Sequence, residues 1–235
     1  MRAGLLIASL AFAFSSFAAE SKLDYDHQER WQVAHGMAQS PIDIVTRTAV
    51  PASGDEPQAL QLTHTVTPVE AVEDNGHAVE VETHHPEAML RGRHFTLTQF
   101  HFHAQSEHTI DGKHYPLEGH FVFKAQDGRL AVIGVMYAAG QANPVIQTVL
   151  GDLAGHKMPE HQDIDIAALL PKQLGYYHYL GSLTTPPLTE NVEWYVLQTP
   201  VTMSEAQLDA FRSHYRHNNR NVQPLNGRPL IHYQD

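Results

Sequence analysis

The run His94-Phe95-Thr96-Leu97-Thr98-Gln99-Phe100-His101-Phe102-His103-Ala104-Gln105-Ser106 decides how this chain is read. It holds no Asp, Glu, Lys or Arg, so a strand here is expected inside the protein with both faces covered. The two-residue period of a strand puts Gln99, His101 and His103 on one face, and Phe100 and Phe102 on the other. Two imidazoles so spaced can converge on one ion, about 2.0 Å from each nitrogen. Downstream, Glu118, His120 and Val122 share a face of a second strand, and the turn signal Asp111-Gly112 folds that strand back beside the first. Three imidazoles without a thiolate form the donor set of a catalytic zinc whose fourth position is left for water. A ligating imidazole also needs its other ring nitrogen held by an acceptor. Gln99 and Glu118 each stand two residues before a proposed ligand, on its own face, and each can supply one.

Working outward, short alternating segments dominate: 60–66, 78–83, 94–105, 118–125, 130–138, 176–180 and 192–197. Asp74-Asn75-Gly76, Asp111-Gly112 and Asp127-Gly128 punctuate them, and 52–57 reads as a polar surface loop. The expectation is a mostly antiparallel β protein. Helices are few. Ser204-Glu205-Ala206-Gln207 is a capping box opening a helix to about residue 216, with Leu208, Phe211 and Tyr215 on one face. Asn143-Pro144 opens a shorter one with Val145, Val149 and Leu153 inward. No repeat or linker divides the chain.

The 235 residues include 15 Lys plus Arg, 26 Asp plus Glu, 18 His and no Cys, for a formal charge of −11. The absence of cysteine excludes disulfides, thiolate metal sites and cysteine nucleophiles. The acidic balance argues against nucleic acid as a partner, although protonation of half the histidines near pH 6.5 would add about nine positive charges. Met1-Arg2-Ala3-Gly4, the apolar run 5–14 and the small residues Ser16 and Ala18 read as a secretory signal peptide over 1–18, leaving residues 19–235 as one exported domain. That run is too short to span a bilayer, so no membrane partner is expected. The expected location is periplasmic or secreted.

His101-Phe102-His103 with Glu107 also fits the HxHxxxE core of cupins, where the glutamate is itself a ligand and the fold is a jelly roll. The glycines that bracket that motif are replaced here by Phe95 and His114, and no second cupin motif follows. A histidine-rich zinc store would instead hold several ions.

The sequence closely resembles the α-class carbonic anhydrases through Gln39-Ser40-Pro41-Ile42-Asp43-Ile44, Asn75-Gly76-His77-Ala78, Gln99-Phe100-His101-Phe102-His103, Ser106-Glu107-His108-Thr109, Glu118-Gly119-His120, Leu130-Ala131-Val132-Ile133-Gly134, Gly181-Ser182-Leu183-Thr184-Thr185-Pro186-Pro187-Leu188 and Asn218-Asn219-Arg220. These run in the family's order from about residue 31 to 233. The resemblance implies one domain on a large, mainly antiparallel, ten-stranded twisted sheet with a few short peripheral helices. It also implies reversible hydration of carbon dioxide by a hydroxide on one zinc ion per chain. His101, His103 and His120 take the ligand positions, Glu107 and Thr184 the gatekeeping pair, and His77 the proton shuttle. Val122, Val132, Leu183 and Trp194 match the apolar wall that receives carbon dioxide, with Thr185 beside the bicarbonate position. The implied partners are carbon dioxide and bicarbonate, with inhibitory anions or sulfonamides at the zinc, and the chain is expected as a monomer or homodimer. A catalytically silent relative acting as a binding module is the alternative, but such relatives generally lose a ligand histidine.

Three departures from the family stand out. Leu188 occupies the place of a cysteine found in many exported bacterial members. The usual Trp-x-Tyr stretch before Gln39 is missing, with only Tyr25 as a stand-in. Glu80 lies three residues after His77, where many relatives carry Asn or Gln.

Overall fold

A computed structural model describes residues 23–31, 36–54, 57–155 and 162–235. The leader expected over residues 1–18 lies outside them.

In chain order the strands are β1 (Asp43–Ile44), β2 (Val50–Pro51), β3 (Leu60–Leu62), β4 (Val66–Asp74), β5 (Val79–Thr83), β6 (Glu87–Leu90), β7 (Arg93–His103) and β8 (Thr109–Ile110). They continue with β9 (Leu117–Lys124), β10 (Leu130–Ala139), β11 (Asp163–Asp165), β12 (Tyr176–Ser182), β13 (Glu190–Leu197), β14 (Val201–Met203) and β15 (Ile231–Tyr233). Among the described residues, two α-helices, α1 (Pro144–Leu153) and α2 (Glu205–His214), and three 3₁₀ turns accompany these strands. Ten strands form one continuous sheet in the order β11-β4-β5-β7-β9-β10-β13-β12-β15-β2, with β3, β6 and β14 attached beside it. The ten-stranded expectation holds along this path. The sheet is nevertheless mixed, because β10 runs parallel to both β13 and β14 and β15 runs parallel to β2.

Local chemistry explains most boundaries. Gly76 and Gly128 take φ +89° and +87° in the turns after β4 and β9, a region that costs glycine nothing. The expected strand over 60–66 is two strands: His64 adopts φ +57° between them, and β3 pairs with β6 while β4 pairs with β5 and β11. Strand β4 beyond Val66 and strand β6 lie outside the expected segments, and both carry charges at exposed positions. Helix α2 opens on the expected box, with Ser204 accepting from the Gln207 amide, and ends at His214, two residues early. Helix α1 buries Val145, Ile146 and Val149, while Leu153 is only half covered.

Strand β7 sits between β5 and β9, inside the sheet; the expectation that both its faces are covered holds only in part. A register shift between Leu97 and Gln99 lets Phe95 and Leu97 join Phe100 and Phe102 on the same core face. Burial is complete only toward the C-terminal end of the strand, since His94 is exposed and Thr96 and Thr98 are half exposed. Behind the sheet lies the main core, in which Phe102 meets Phe211 of α2 at 4.8 Å between ring centres. In front lies a smaller cluster built on Ile42, Val132, Met136, Tyr179 and Trp194. The histidines face this second side.

Candidate metal centre

Strand register alone assembles the floor of the site. Residues directly opposite on neighbouring strands share a face. One row across the sheet reads Gln99, Val122, Val132, Trp194; the next reads His101, His120, Gly134; the third reads His103, Glu118, Met136. Three rows of one pleated face thus carry the imidazoles, two of their acceptors and an apolar wall. Gly134 has a role here that the sequence did not suggest. A Cβ on it would come within 3.0 Å of Glu118 Oε1, so the bare backbone leaves room for that carboxylate.

Each imidazole is held by one ring nitrogen and turns the other inward. His101 Nδ1 pairs with Gln99 Oε1 at 2.8 Å, and His120 Nε2 pairs with Glu118 Oε1 at 3.0 Å, as expected for both acceptors. His103 Nδ1 bonds the carbonyl of Asn218 at 2.6 Å. That third acceptor could not be inferred from spacing, because it is a backbone atom 115 residues away. One ring nitrogen from each of the three lies within 4.8 Å of the others. His103 Nε2 is buried with no hydrogen-bond partner. Burial lowers the pKa of all three imidazoles, to about 4 for His103, which keeps them neutral and their lone pairs free. An orphaned buried nitrogen beside two other neutral imidazoles fits a soft-to-borderline divalent cation, and zinc suits three nitrogens with an open corner.

His108, Glu118 and His120 also lie close together, but hydrogen bonding accounts for that group. Glu118 Oε1 is 2.8 Å from His108 Nδ1, while Oε2 accepts the amides of Glu107 and His108 at 2.8 Å each. Burial alone would raise the Glu118 carboxyl, yet the two histidines around it hold it well below its usual range. From His108 the chain of bonds continues through the Tyr179 hydroxyl to Ser40.

Glu107 is fully buried, and its Oε1 accepts the Arg220 amide at 2.6 Å. Its oxygens lie 3.6 Å from His103 Nδ1 and 4.0 Å from His120 Nδ1, outside the group of three imidazole nitrogens, and one continuous open sheet is not the jelly roll of the cupin reading. Burial pushes its carboxyl up to about 7, opposed by His120, the Arg220 amide and the Thr184 hydroxyl. The other oxygen of Glu107, Oε2, is buried with no hydrogen-bond partner. The Arg220 side chain bonds Gln39 Oε1 and the Ser40 carbonyl, so two motifs far apart in sequence clamp the wall behind Glu107.

Above the floor opens a cleft of about 180 Å³. Its walls include His77, Val122, Val132, Leu183, Thr184, Thr185 and Trp194, with Gln99, His101 and His120 at the base. The turn at 74–76 delivers His77 to the wall, because Asn75 Oδ1 accepts the amides of His77 and Ala78. Leu188 is fully buried, and its amide donates to the Thr185 carbonyl, so packing holds the 183–188 loop. Tyr25 packs on Trp31 and His217 and does not line the cleft.

The eukaryotic-type carbonic anhydrase family model matches residues 25–234. A protein named carbonic anhydrase from Pectobacterium atrosepticum is 44% identical over 207 residues, covering 84% of this chain and 80% of the relative. Another so named, from Neisseria gonorrhoeae, is 37% identical over 249 residues and covers 98% and 96%. Among solved structures, the α-carbonic anhydrase of Thermovibrio ammonificans with the inhibitor sulfanilamide superposes with a TM-score of 0.72 at 41% identity, covering 83% of this chain and 87% of that one. A Chlamydomonas reinhardtii carbonic anhydrase bound to acetazolamide gives 0.72 at 31%, covering 85% and 92%.

Proposed function

Because the chain belongs to the eukaryotic-type (α-class) carbonic anhydrase family, we propose that it hydrates carbon dioxide reversibly at a zinc ion held by His101, His103 and His120, with His77 carrying the released proton. The observation that carries the reading is the buried, unpartnered Nε2 of His103 beside two other inward-facing imidazoles. When bound, zinc supplies a hydroxide near neutral pH, the property for which carbonic anhydrase is the standing example.

The residues of the chain do the rest. Gln99, the Asn218 carbonyl and Glu118 fix the ring orientation and tautomer of the three imidazoles. Ionised Glu107 only accepts, so a Thr184 hydroxyl turned toward it donates its proton there and leaves its oxygen to accept from the nucleophile, orienting it. Val122, Val132, Leu183 and Trp194 offer carbon dioxide an apolar pocket in which it makes no competing hydrogen bonds, and Thr185 provides a polar atom for the charged product. His77 stands on the cleft wall, and an imidazole can both accept and release a proton near neutrality. Primary sulfonamides are expected to block the same floor, as the similarity to inhibitor-bound relatives suggests. The leader read over residues 1–18 supports export to the periplasm or beyond.

Stopped-flow hydration of carbon dioxide and a zinc count on one sample test this directly. His103→Ala should lose turnover and zinc together, its affinity falling by more than about a hundredfold, the upper range for loss of a mere outer hydrogen-bond partner. A zinc-loaded, fully active variant would falsify the site, and a zinc-loaded parent without turnover would mark a silent relative.

A further inference from the structure

Among the described residues lining the cleft, Glu80 alone carries an acidic side chain, and no Lys or Arg accompanies it. Its place follows from register. On β5, Val79 and Val81 are fully buried on the core face, and Glu80 between them pairs directly with His101 of β7. Directly opposed residues have Cβ atoms about 5 Å apart on one face, so the carboxylate rises beside a residue of the metal floor. It is fixed there: Glu80 Oε2 accepts from Asn75 Nδ2 at 3.1 Å, in the same turn that delivers His77 to the wall.

Fold stability does not call for a carboxylate at this point. Glu73 of β4 lies directly opposite Glu80, and like charges so placed destabilise a strand pair. The pairing of β5 is secured by its valines, so the effect of Glu80 falls on the cleft instead. What enters there is neutral carbon dioxide, whereas bicarbonate and small inhibitory ions are anions. A fixed negative charge in a partly desolvated cleft raises the free energy of any bound anion and leaves an uncharged ligand almost untouched.

We infer that Glu80 is a specificity-determining residue that makes the cleft discriminate against anionic ligands, bicarbonate included, and in favour of neutral ones. The inference rests on the carbon dioxide hydration reading of the cleft. It implies weak product inhibition and weak inhibition by simple anions.

The test compares thiocyanate with neutral phenol on the zinc-loaded parent, Glu80→Gln and Glu73→Gln. Both inhibition of hydration and calorimetric binding are read, at low and high ionic strength set with sulfate. Glu80→Gln should tighten thiocyanate binding about three- to tenfold at low ionic strength, with phenol moving less than about twofold and the gap closing as salt screens the charge. Glu73→Gln, which removes an exposed carboxylate outside the cleft lining, should shift thiocyanate less. Should Glu80→Gln fold poorly, Glu80→Ala must give the same sign. Unchanged thiocyanate affinity, or equal shifts for both ligands, would overturn the inference. A parent that binds both ligands but hydrates no carbon dioxide would overturn the function, while calorimetry still decides whether Glu80 discriminates.

Discussion

His101 and His103 look alike in sequence, yet they are held by different kinds of partner. The first is oriented by a side chain on its own strand, two residues away, and the second by a carbonyl from the far end of the chain. Alternation could therefore reveal Gln99 and Glu118 but never Asn218. His77 presents the reverse case, in which a local Asx turn gives the ring a definite position on the cleft wall. Its role is testable by itself. His77→Ala should slow turnover about a hundredfold at low buffer concentration and recover in part with added imidazole. A rate unchanged at every buffer concentration would assign the proton to another route.

Helices α1 and α2 are short and rely on shared caps more than on their own length. Asn143 accepts the amides of Val145 and Ile146, and the Gln207 side chain exchanges hydrogen bonds with the backbone of Asn143 while also closing the box on Ser204. One buried amide therefore ties the start of one helix to the start of the other. Ser204→Ala should cost about 1 kcal/mol, the usual loss for an N-cap, whereas Gln207→Ala should cost about 2–3 kcal/mol because it strips several buried partners at once. Urea denaturation of both variants checks the ranking; equal losses would show that the link between the helices is idle.

Acid sensitivity belongs to the molecule as a whole, because it sums buried histidines from distant strands. His178 on β12 stacks on Tyr195 and bonds the Trp194 carbonyl, and burial lowers its pKa from 6.5 to about 4. With the folded value below the unfolded one, the unfolded chain binds more protons between those two points. The stabilisation is therefore full above pH 6.5 and fades as pH falls toward 4, by about 3 kcal/mol at the low end. His178→Gln should flatten this part of the stability profile relative to the parent, as measured by urea midpoints from pH 7 to 4. A difference between the two proteins that does not vary with pH would remove His178 from the account. Among the 18 histidines, His178 and His108 are thus buried hydrogen-bonding residues, a distinction that composition could not draw.

Residue order alone determined which faces the histidines, Gln99, Glu118 and the phenylalanines share, where α2 and α1 begin, and the β character of the chain, because strand alternation and helix caps act over only a few residues. Tertiary structure decided what depends on neighbours remote in sequence. The parallel pairing of β10 with β13 brings Val132 beside Trp194, the Asn218 carbonyl meets His103, Arg220 meets Gln39, and Gly134 makes space for Glu118. The physical reason is that register between distant strands is settled by the packing of both cores at once, a sum over the whole sheet that no short window of residues contains.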